Sequence, residues 1–243
     1  MRSSGSVRSV LFRRSRFLAG SGWRAFGGLF LDGQVPVERA RTIFGVRFTG
    51  GNHHLVETLS LHLQDAIVDV RHTPLWRHHE TFRPASTNEA LSLSSSVETE
   101  FPLFTYPWGT FRKHEVRSSK DTRTSRFCGP SSESSILEEF KSTCALYTQL
   151  RESGYNPYRY PNSFIGGTWL ESLSGEREFV VLQGNHRVSC LASLGHASFE
   201  VRPLRGHHWI IRERDVERWA WVRQGWTSTN EALQVFRCFF QER

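Results

Sequence analysis

The sequence lacks any long hydrophobic run, because arginine, glycine or serine interrupts each apolar stretch before the roughly 18 residues that a bilayer-spanning helix needs. We therefore expect no membrane partner. The chain has 243 residues, 38% of them hydrophobic, which is enough for one substantial core or for one core with a small accessory domain.

Cysteine is scarce, and its spacing excludes two common uses. The four cysteines show neither C-x-x-C nor zinc-binding spacing, so they are predicted to be reduced, mostly buried thiols, and no metal site is predicted from them. Reduced thiols are typical of a cytoplasmic protein.

A basic surplus is also missing from most of the chain. Residues 1–48 contain nine arginines and two acidic residues, whereas residues 49–243 contain 22 basic and 22 acidic side chains. A protein that binds nucleic acid usually presents a basic surface that neutralises phosphates. The charge distribution therefore does not favour DNA as a partner, unless basic side chains cluster in the fold.

The N-terminal segment 1–31 has six arginines, six serines and no acidic residue. This composition is typical of an organellar transit peptide and also of a disordered leader, and both interpretations stay open. The first would make the protein organellar rather than cytoplasmic. In either case we exclude the Arg-rich leader from the fold.

Hydrophobic periodicity indicates the organisation of the remaining chain. Residues 41–48 alternate apolar and polar side chains, which predicts a short strand, and residues 52–70 have apolar side chains at helical spacing. We assign residues 32–116 to an N-terminal accessory region. Residues 117–135 contain seven serines and are the most polar segment, so they are predicted to be a linker.

A second region is predicted over residues 136–243. It opens with an amphipathic helix over residues 136–154, whose last residue is a glycine suited to a C-terminal cap. Near its end, Ser228 and Glu231 have the spacing of a capping box, which predicts the start of a C-terminal helix.

The stretch EFVVLQGNHRVSCLASLG changes character at Gly184. Residues 179–182 are continuously apolar, as in a buried strand, and the apolar residues after Gly184 follow helical spacing as far as Gly195. A second strand, SFEVRPL, comes next. This order predicts a right-handed parallel crossover and an α+β fold, in which a small mixed sheet with a β-α-β core has flanking helices.

The turn Gly184-Asn185 lies at the N-terminus of the predicted helix, where backbone N–H groups and the helix dipole attract anions. His186 and Arg187 follow in the first turn, where a cation is slightly unfavourable unless an anion is bound. We therefore predict a phosphate site at these four residues. The alternative stays open that Asn185 is only an N-cap and that the two basic residues are solvated.

The segment VVLQGNHRVSCLASLGHASFEVRPL resembles the signature of the ParB/sulfiredoxin superfamily, in which a strand leads into a G-x-H-R turn, a short helix and another strand. The resemblance covers roughly residues 136–204. A longer part of the chain is similar to bacterial proteins that carry a ParB-like nuclease domain, but no clustered acidic metal site for DNA cleavage is visible. The superfamily includes CTP-hydrolysing clamps, ATP-using sulfiredoxins and ADP-dependent small-molecule kinases.

The resemblance implies a nucleotide ligand (ATP, ADP or CTP, with Mg²⁺) or another phosphorylated ligand. It implies that Gly184 allows close backbone approach, and that Asn185 and His186 offer N–H donors. It also implies that the side chains of His186 and Arg187 contact phosphate oxygens. The expected function is that of a phosphate- or nucleotide-binding protein, either an NTPase or a small-molecule phosphotransferase. The alternative is a non-catalytic ParB-like module that binds a protein, a polymer or DNA.

The chain departs from the superfamily at two positions. Sulfiredoxins have their catalytic cysteine where this chain has Asn185, so sulfiredoxin chemistry is not expected. The kinase-like members tend to have an acidic residue where this chain has Gln183. No catalytic residue is assigned. A nearby carboxylate could replace the missing one, the candidates being Glu171, Glu176 and Glu178, but solvated loop charges are the favoured explanation of these three.

Two further sequence features are candidate sites. In YPNSFIGGTWL the glycine pair precedes Thr168, which could reach the ligand, although a plain hairpin or bulge is the favoured explanation of the glycines. Adjacent histidines occur at 53–54, 78–79 and 207–208. Because neighbouring side chains diverge on a strand or helix, these pairs do not predict a metal site.

Overall fold

The computed structural model describes residues 33–64, 69–93, 97–110, 127–159 and 163–242. The predicted leader and residues 117–126 of the predicted linker lie outside these ranges. The helices are α1 (His54–Leu63), α2 (Pro74–Thr81), α3 (Thr87–Ala90), α4 (Glu133–Ser153), α5 (Asn185–Ser193), α6 (Ala220–Arg223) and α7 (Thr229–Arg237). The strands are β1 (Gln34–Pro36), β2 (Ala40–Arg41), β3 (Thr105–Tyr106), β4 (Gly109–Thr110), β5 (Ile165–Glu171), β6 (Arg177–Gln183), β7 (Ser198–Pro203) and β8 (Ile210–Arg212).

The main sheet is mixed, so the α+β class is confirmed. Its strand order is β1-β7-β5-β6-β2, and β8 also pairs with β5. The central strand β5 is antiparallel to β6 and parallel to both β7 and β8. Strands β3 and β4 form a separate two-stranded sheet.

The predicted parallel crossover between the two strands that flank α5 is wrong. Strand β7 runs parallel to β5, and β5 is antiparallel to β6, so β6 and β7 run in opposite directions with β5 between them. The far edge of β6 is taken by β2, which pairs with it in parallel. The chain leaving α5 therefore joins the sheet on the other side of β5.

The strand predicted over residues 41–48 is also wrong beyond Arg41. The chain turns at Thr42, whose hydroxyl accepts hydrogen bonds from the backbone N–H groups of Phe44 and Val46 at 3.3 and 3.1 Å. Side-chain bonds of this kind compete with strand pairing, because they satisfy backbone donors locally. The helix predicted within residues 52–70 is confirmed as α1.

The long helix α4 confirms the prediction over residues 136–154 and extends it by one turn. Ser132 caps its N-terminus by accepting a hydrogen bond from the backbone N–H of Ser135, and Gly154 ends it with φ +69°. The last three residues of the predicted linker are therefore helical. The capping box of Ser228 and Glu231 is confirmed at the start of α7.

The hydrophobic core contains residues from both sides of the predicted linker. Trp108, from the region 32–116, packs edge-to-face against Trp219 and Phe236, with ring centroids 5.3 and 5.7 Å apart. A second cluster joins α1, α2 and α4 through buried apolar side chains, namely Leu55, Leu75, Trp76 and Ile136. No helix within the described ranges has the length and apolar character needed to cross a membrane.

One buried ion pair fixes β2 against β6. Both side chains of Arg41 and Glu178 are 0% exposed, and the guanidinium contacts the carboxylate through two nitrogens at 3.3 Å. The remaining guanidinium nitrogen donates to the carbonyls of Gly45 and Gln241 at 3.1 and 2.9 Å. Burial raises the pKa of Glu178 and lowers the pKa of Arg41, although their pairing opposes both shifts.

We expect Glu178→Gln to lower the free energy of unfolding by roughly 3–5 kcal/mol, because it leaves a buried guanidinium without its countercharge. Glu176→Gln is the matched control, since it breaks a pair with Arg39 whose side chains are 45% and 41% exposed. That change is expected to cost less than about 1 kcal/mol. Urea denaturation of both variants tests this, and equal losses would contradict the assignment.

Candidate functional site

The turn after β6 has a conformation that requires glycine. Gly184 has φ +97° and is the N-cap of α5, which begins at Asn185. A Cβ atom at position 184 would lie 3.1 Å from Ile165 Cγ1, so a larger residue would be both strained and crowded. The predicted order of strand, turn and helix is therefore confirmed, and the first N–H groups of α5 have no acceptor within the helix.

A cavity of about 480 Å³ lies between this turn and the N-terminal half of α4. Gly184, His186 and Arg187 line one side, and the other side includes Glu138 and Glu139 from α4. Cavities that bind small molecules have volumes of roughly 300–1,000 Å³. Three of the predicted phosphate-binding residues thus meet at a cavity of suitable size.

A bridging carboxylate connects three helices beside this cavity. Glu139 of α4 contacts His186 Nε2 through Oε1 at 2.9 Å and His79 Nε2 through Oε2 at 3.0 Å. His79 of α2 in turn contacts the Ser131 hydroxyl through Nδ1 at 3.0 Å. We call Ser131, His79, Glu139 and His186 the bridged histidine network.

The network keeps Glu139 ionised. Burial alone would raise its pKa, but the hydrogen bonds from His186 and His79 outweigh burial and lower the pKa of Glu139 to about 2. An ionised carboxylate can only accept hydrogen bonds. Both contacting Nε2 atoms must therefore carry a proton, which fixes the orientation of both rings.

Arg187 lies between the main cavity and a smaller cavity of about 250 Å³, since it lines both of them. Its Nη1 donates to the carbonyl of Phe164 at 3.2 Å, just before β5. This contact holds the guanidinium near the turn, where Nη1 lies 3.4 Å from the Cβ position of Gly184.

The other two predicted site residues are not on the cavity wall. Asn185 Oδ1 is buried and has no hydrogen-bond partner among the described residues. Thr168 is 1% exposed inside β5 and donates its hydroxyl hydrogen bond to the carbonyl of His208. The glycine pair before it produces a register irregularity in the β5–β6 pairing, which is the bulge that the sequence allowed.

The three candidate carboxylates of the β5–β6 hairpin do not line the cavity either. Glu171 pairs with Arg177 and Arg212, Glu176 with Arg39, and Glu178 with Arg41. The acidic groups at the cavity come instead from α4.

Glu139 was not predicted as a site residue, although its position in the helical pattern of α4 indicates a buried face. It lies three residues after the buried Ile136 and four residues before the buried Thr143, on the inner face of α4. A glutamate on such a face needs a partner.

The histidine pairs 53–54 and 78–79 meet in a stacked group. The ring of His54 lies parallel to that of His78, with centroids 3.7 Å apart, and His53 stacks between Phe48 and His54 at 4.5 and 4.9 Å. Neither ring nitrogen of His53 has a hydrogen-bond partner among the described residues. Within those same residues, no group of three or more His, Cys, Asp or Glu side chains is arranged to hold a metal ion.

Burial keeps the stacked histidines neutral. Burial, together with the charges of neighbouring histidines, lowers the pKa of His53 to about 3 and that of His78 to about 4. The pKa of His54 is also lowered by burial, well below its ordinary value. These rings therefore act as packing elements at neutral pH.

Comparison of the chain with protein-family models, with curated proteins and with solved structures finds no match in any of the three.

We expect acid to destabilise the fold through the stacked histidines. Their pKa is lower in the folded chain than the ordinary 6.5, so below about pH 6.5 the unfolded chain binds protons that the folded chain does not. The contribution of the neutral rings to folding stability is therefore complete above about pH 6.5 and is lost as the pH falls towards 4. Each such group adds a slope of about 1.4 kcal/mol per pH unit to the free energy of unfolding in this window.

His53→Phe keeps a ring against Phe48 and removes one titrating group, so the slope should fall by about 1.4 kcal/mol per pH unit. Phe48→Leu is the control, because it loses packing against His53 but keeps the imidazole. It should lower stability by a similar amount at every pH. Urea denaturation across this pH range measures both, and an unchanged slope for His53→Phe would disprove the linkage.

Proposed function

We propose that the main cavity binds the phosphate groups of a nucleotide (ATP, ADP or CTP), and that β6, the turn and α5 act as a ParB/sulfiredoxin-like phosphate site. The observation that carries the proposal is the convergence of Gly184, His186 and Arg187 on one cavity at the N-terminus of α5. The proposed activity is that of an NTPase or a small-molecule phosphotransferase.

The N-terminus of α5 supplies the attraction for an anion. The helix has nine residues, and its dipole places roughly half a positive charge at this end. Gly184, in the left-handed conformation, is the N-cap, so the first N–H groups of α5 lie at this turn and have no acceptor within the helix. Arg187 adds a planar cation with several donors, which suits phosphate oxygens better than a point charge does.

His186 can donate to phosphate only through Nδ1, because its Nε2 contacts Glu139. A donating Nδ1 requires the doubly protonated ring, and the adjacent carboxylate of Glu139 provides the countercharge for that form. Phosphate binding at this position therefore involves an imidazolium held between two anions. This arrangement supports the role predicted for His186 and makes Glu139 part of the site.

Glu138 is the cavity carboxylate suited to Mg²⁺. Both oxygens of Glu139 contact histidines, whereas Glu138 is exposed at the cavity. Mg²⁺ prefers oxygen ligands and usually binds through one or two carboxylates together with substrate phosphates. When bound, the ion would supply charge neutralisation between Glu138 and the phosphates.

The site could belong to an enzyme that turns over its nucleotide or to a protein that only binds. In the second form, a non-catalytic module uses the same turn to hold a protein, a polymer or DNA. The bridged histidine network favours turnover, because it places an oriented imidazole at the cavity. Release of inorganic phosphate from a bound nucleotide distinguishes the two forms.

We expect a bound nucleotide to stabilise the protein by about 2.7 kcal/mol at roughly 100 times its dissociation constant. Thermal unfolding of residues 32–243 with ATP, ADP or CTP and Mg²⁺ measures this. Arg187→Ala should weaken binding at least about tenfold, which corresponds to about 1.4 kcal/mol. Arg223→Ala, at an exposed arginine of α6, is the matched control and should leave binding unchanged.

The proposal fails if none of the three nucleotides raises the melting temperature. It also fails if Arg187→Ala and Arg223→Ala respond to nucleotide as the unmodified protein does.

A further inference from the structure

The segment before α4 is held tightly against α2. The backbone N–H of Gly129 donates to the carbonyl of Phe82 at 2.8 Å, and a Cβ atom at position 129 would lie 1.8 Å from the carbonyl oxygen of His79. The ring of His78 contacts the carbonyl of Phe127 at 2.9 Å. This close packing brings Ser131 to the ring of His79.

The hydrogen bonds around His79 have one consistent direction. Its side chain is 1% exposed, and Nε2 must donate to the ionised carboxylate of Glu139 at 3.0 Å. A neutral ring then has its lone pair on Nδ1, which accepts the hydroxyl proton of Ser131 at 3.0 Å. A chain of hydrogen bonds thus connects the serine hydroxyl, the oriented imidazole and the buried carboxylate.

We propose that Ser131 is a nucleophile for electrophilic phosphorus, with His79 as its general base and Glu139 as the residue that positions His79. The geometric requirement for an activated serine is a base within hydrogen-bond reach that is itself oriented by a third group, and these residues meet it. The part of the inference that names a nucleotide as phosphoryl donor rests on the proposed function. Ser131 and the turn at Gly184 line the same cavity.

In the proposed reaction a phosphoryl group is transferred from the nucleotide to Ser131, and His79 takes up the proton that Ser131 loses. The Ser131 oxygen forms a bond to the phosphorus, and its proton passes to His79 Nδ1. The bond between that phosphorus and the bridging oxygen of the nucleotide breaks, and its electron pair leaves with the shortened nucleotide. The imidazolium that forms is stabilised by Glu139, and the product is a phosphoserine at position 131.

Two other serines at the cavity provide an internal comparison. Ser135 shares its hydroxyl hydrogen bond with Ser132 at 2.8 Å, and Ser142 donates to the carbonyl of Glu138 within α4. Among the residues that the structure describes, neither hydroxyl group contacts an imidazole. Selective modification of Ser131 would therefore reflect activation by His79 rather than access to the cavity alone.

The test uses a fluorophosphonate probe on the full chain, with the modified residue identified by mass spectrometry of peptides. Its electrophilic phosphorus loses fluoride when a serine attacks, and no nucleotide is required. We expect Ser131 to be labelled at least about 100-fold faster than Ser135 or Ser142, which is the lower end of what a general base contributes. Ser131→Ala should abolish the fast phase, and Ser174→Ala, at an exposed turn, should retain it.

Glu139→Gln tests the positioning role through the pH dependence of labelling. The amide removes the charge that stabilises the imidazolium of His79, so labelling should slow at least about tenfold and its pH profile should move. A purely structural role would change protein stability but leave the pH profile of the remaining folded protein in place. Equal labelling of all three cavity serines, or an unmoved pH profile, overturns the inference.

A second arm replaces the probe with ATP, ADP or CTP and Mg²⁺ and measures phosphoryl transfer to Ser131. If the fluorophosphonate labels Ser131 but no nucleotide stabilises the protein, the proposed function fails and the nucleophile stands. If nucleotides bind and Ser131 is labelled by the probe but never phosphorylated, a nucleotide is not the donor and that part of the inference is overturned.

Discussion

The contact on which the site depends is the carboxylate of Glu139 held between two imidazoles. It joins three helices, because Glu139 belongs to α4, His79 to α2 and His186 to α5. Burying a carboxylate is costly unless hydrogen bonds or countercharges replace its water. Here each oxygen receives a hydrogen bond from a ring N–H, so the charge is retained and both rings are fixed. The cavity wall opposite the turn is built from this arrangement.

Glu178 and Glu139 are both shielded from solvent, but their environments differ. Glu178 is enclosed by Arg41, whose guanidinium also donates to backbone carbonyls, and both side chains are 0% exposed. That pair joins strands and does not line the main cavity. Glu139 is 11% exposed at the cavity wall, and the second ring nitrogen of His79, Nδ1, contacts the Ser131 hydroxyl at that cavity. The first carboxylate therefore has a structural role, and the second belongs to the proposed site.

Local regularities of the sequence predicted much of the local structure. The helical spacing that ends in a glycine gave α4, and the apolar run followed by Gly184 gave β6, the turn and α5. The predictions were wrong where a side-chain contact or the strand order, neither of which follows from hydrophobic spacing, decides the structure. The Thr42 hydroxyl turns the chain where a strand was predicted, and β5 lies between β6 and β7, so the crossover is not parallel.

By itself the sequence determined α1, α4, the start of α7 and the order of β6, turn and α5, because capping residues, glycine and apolar spacing act over a few neighbouring residues. Only the tertiary structure decided which groups meet at that turn. Glu139 is 47 residues from His186 and 60 residues from His79, and Ser131 is 52 residues from His79. Pairings at such separations depend on how whole helices pack, and no local pattern records the partner of a buried charge.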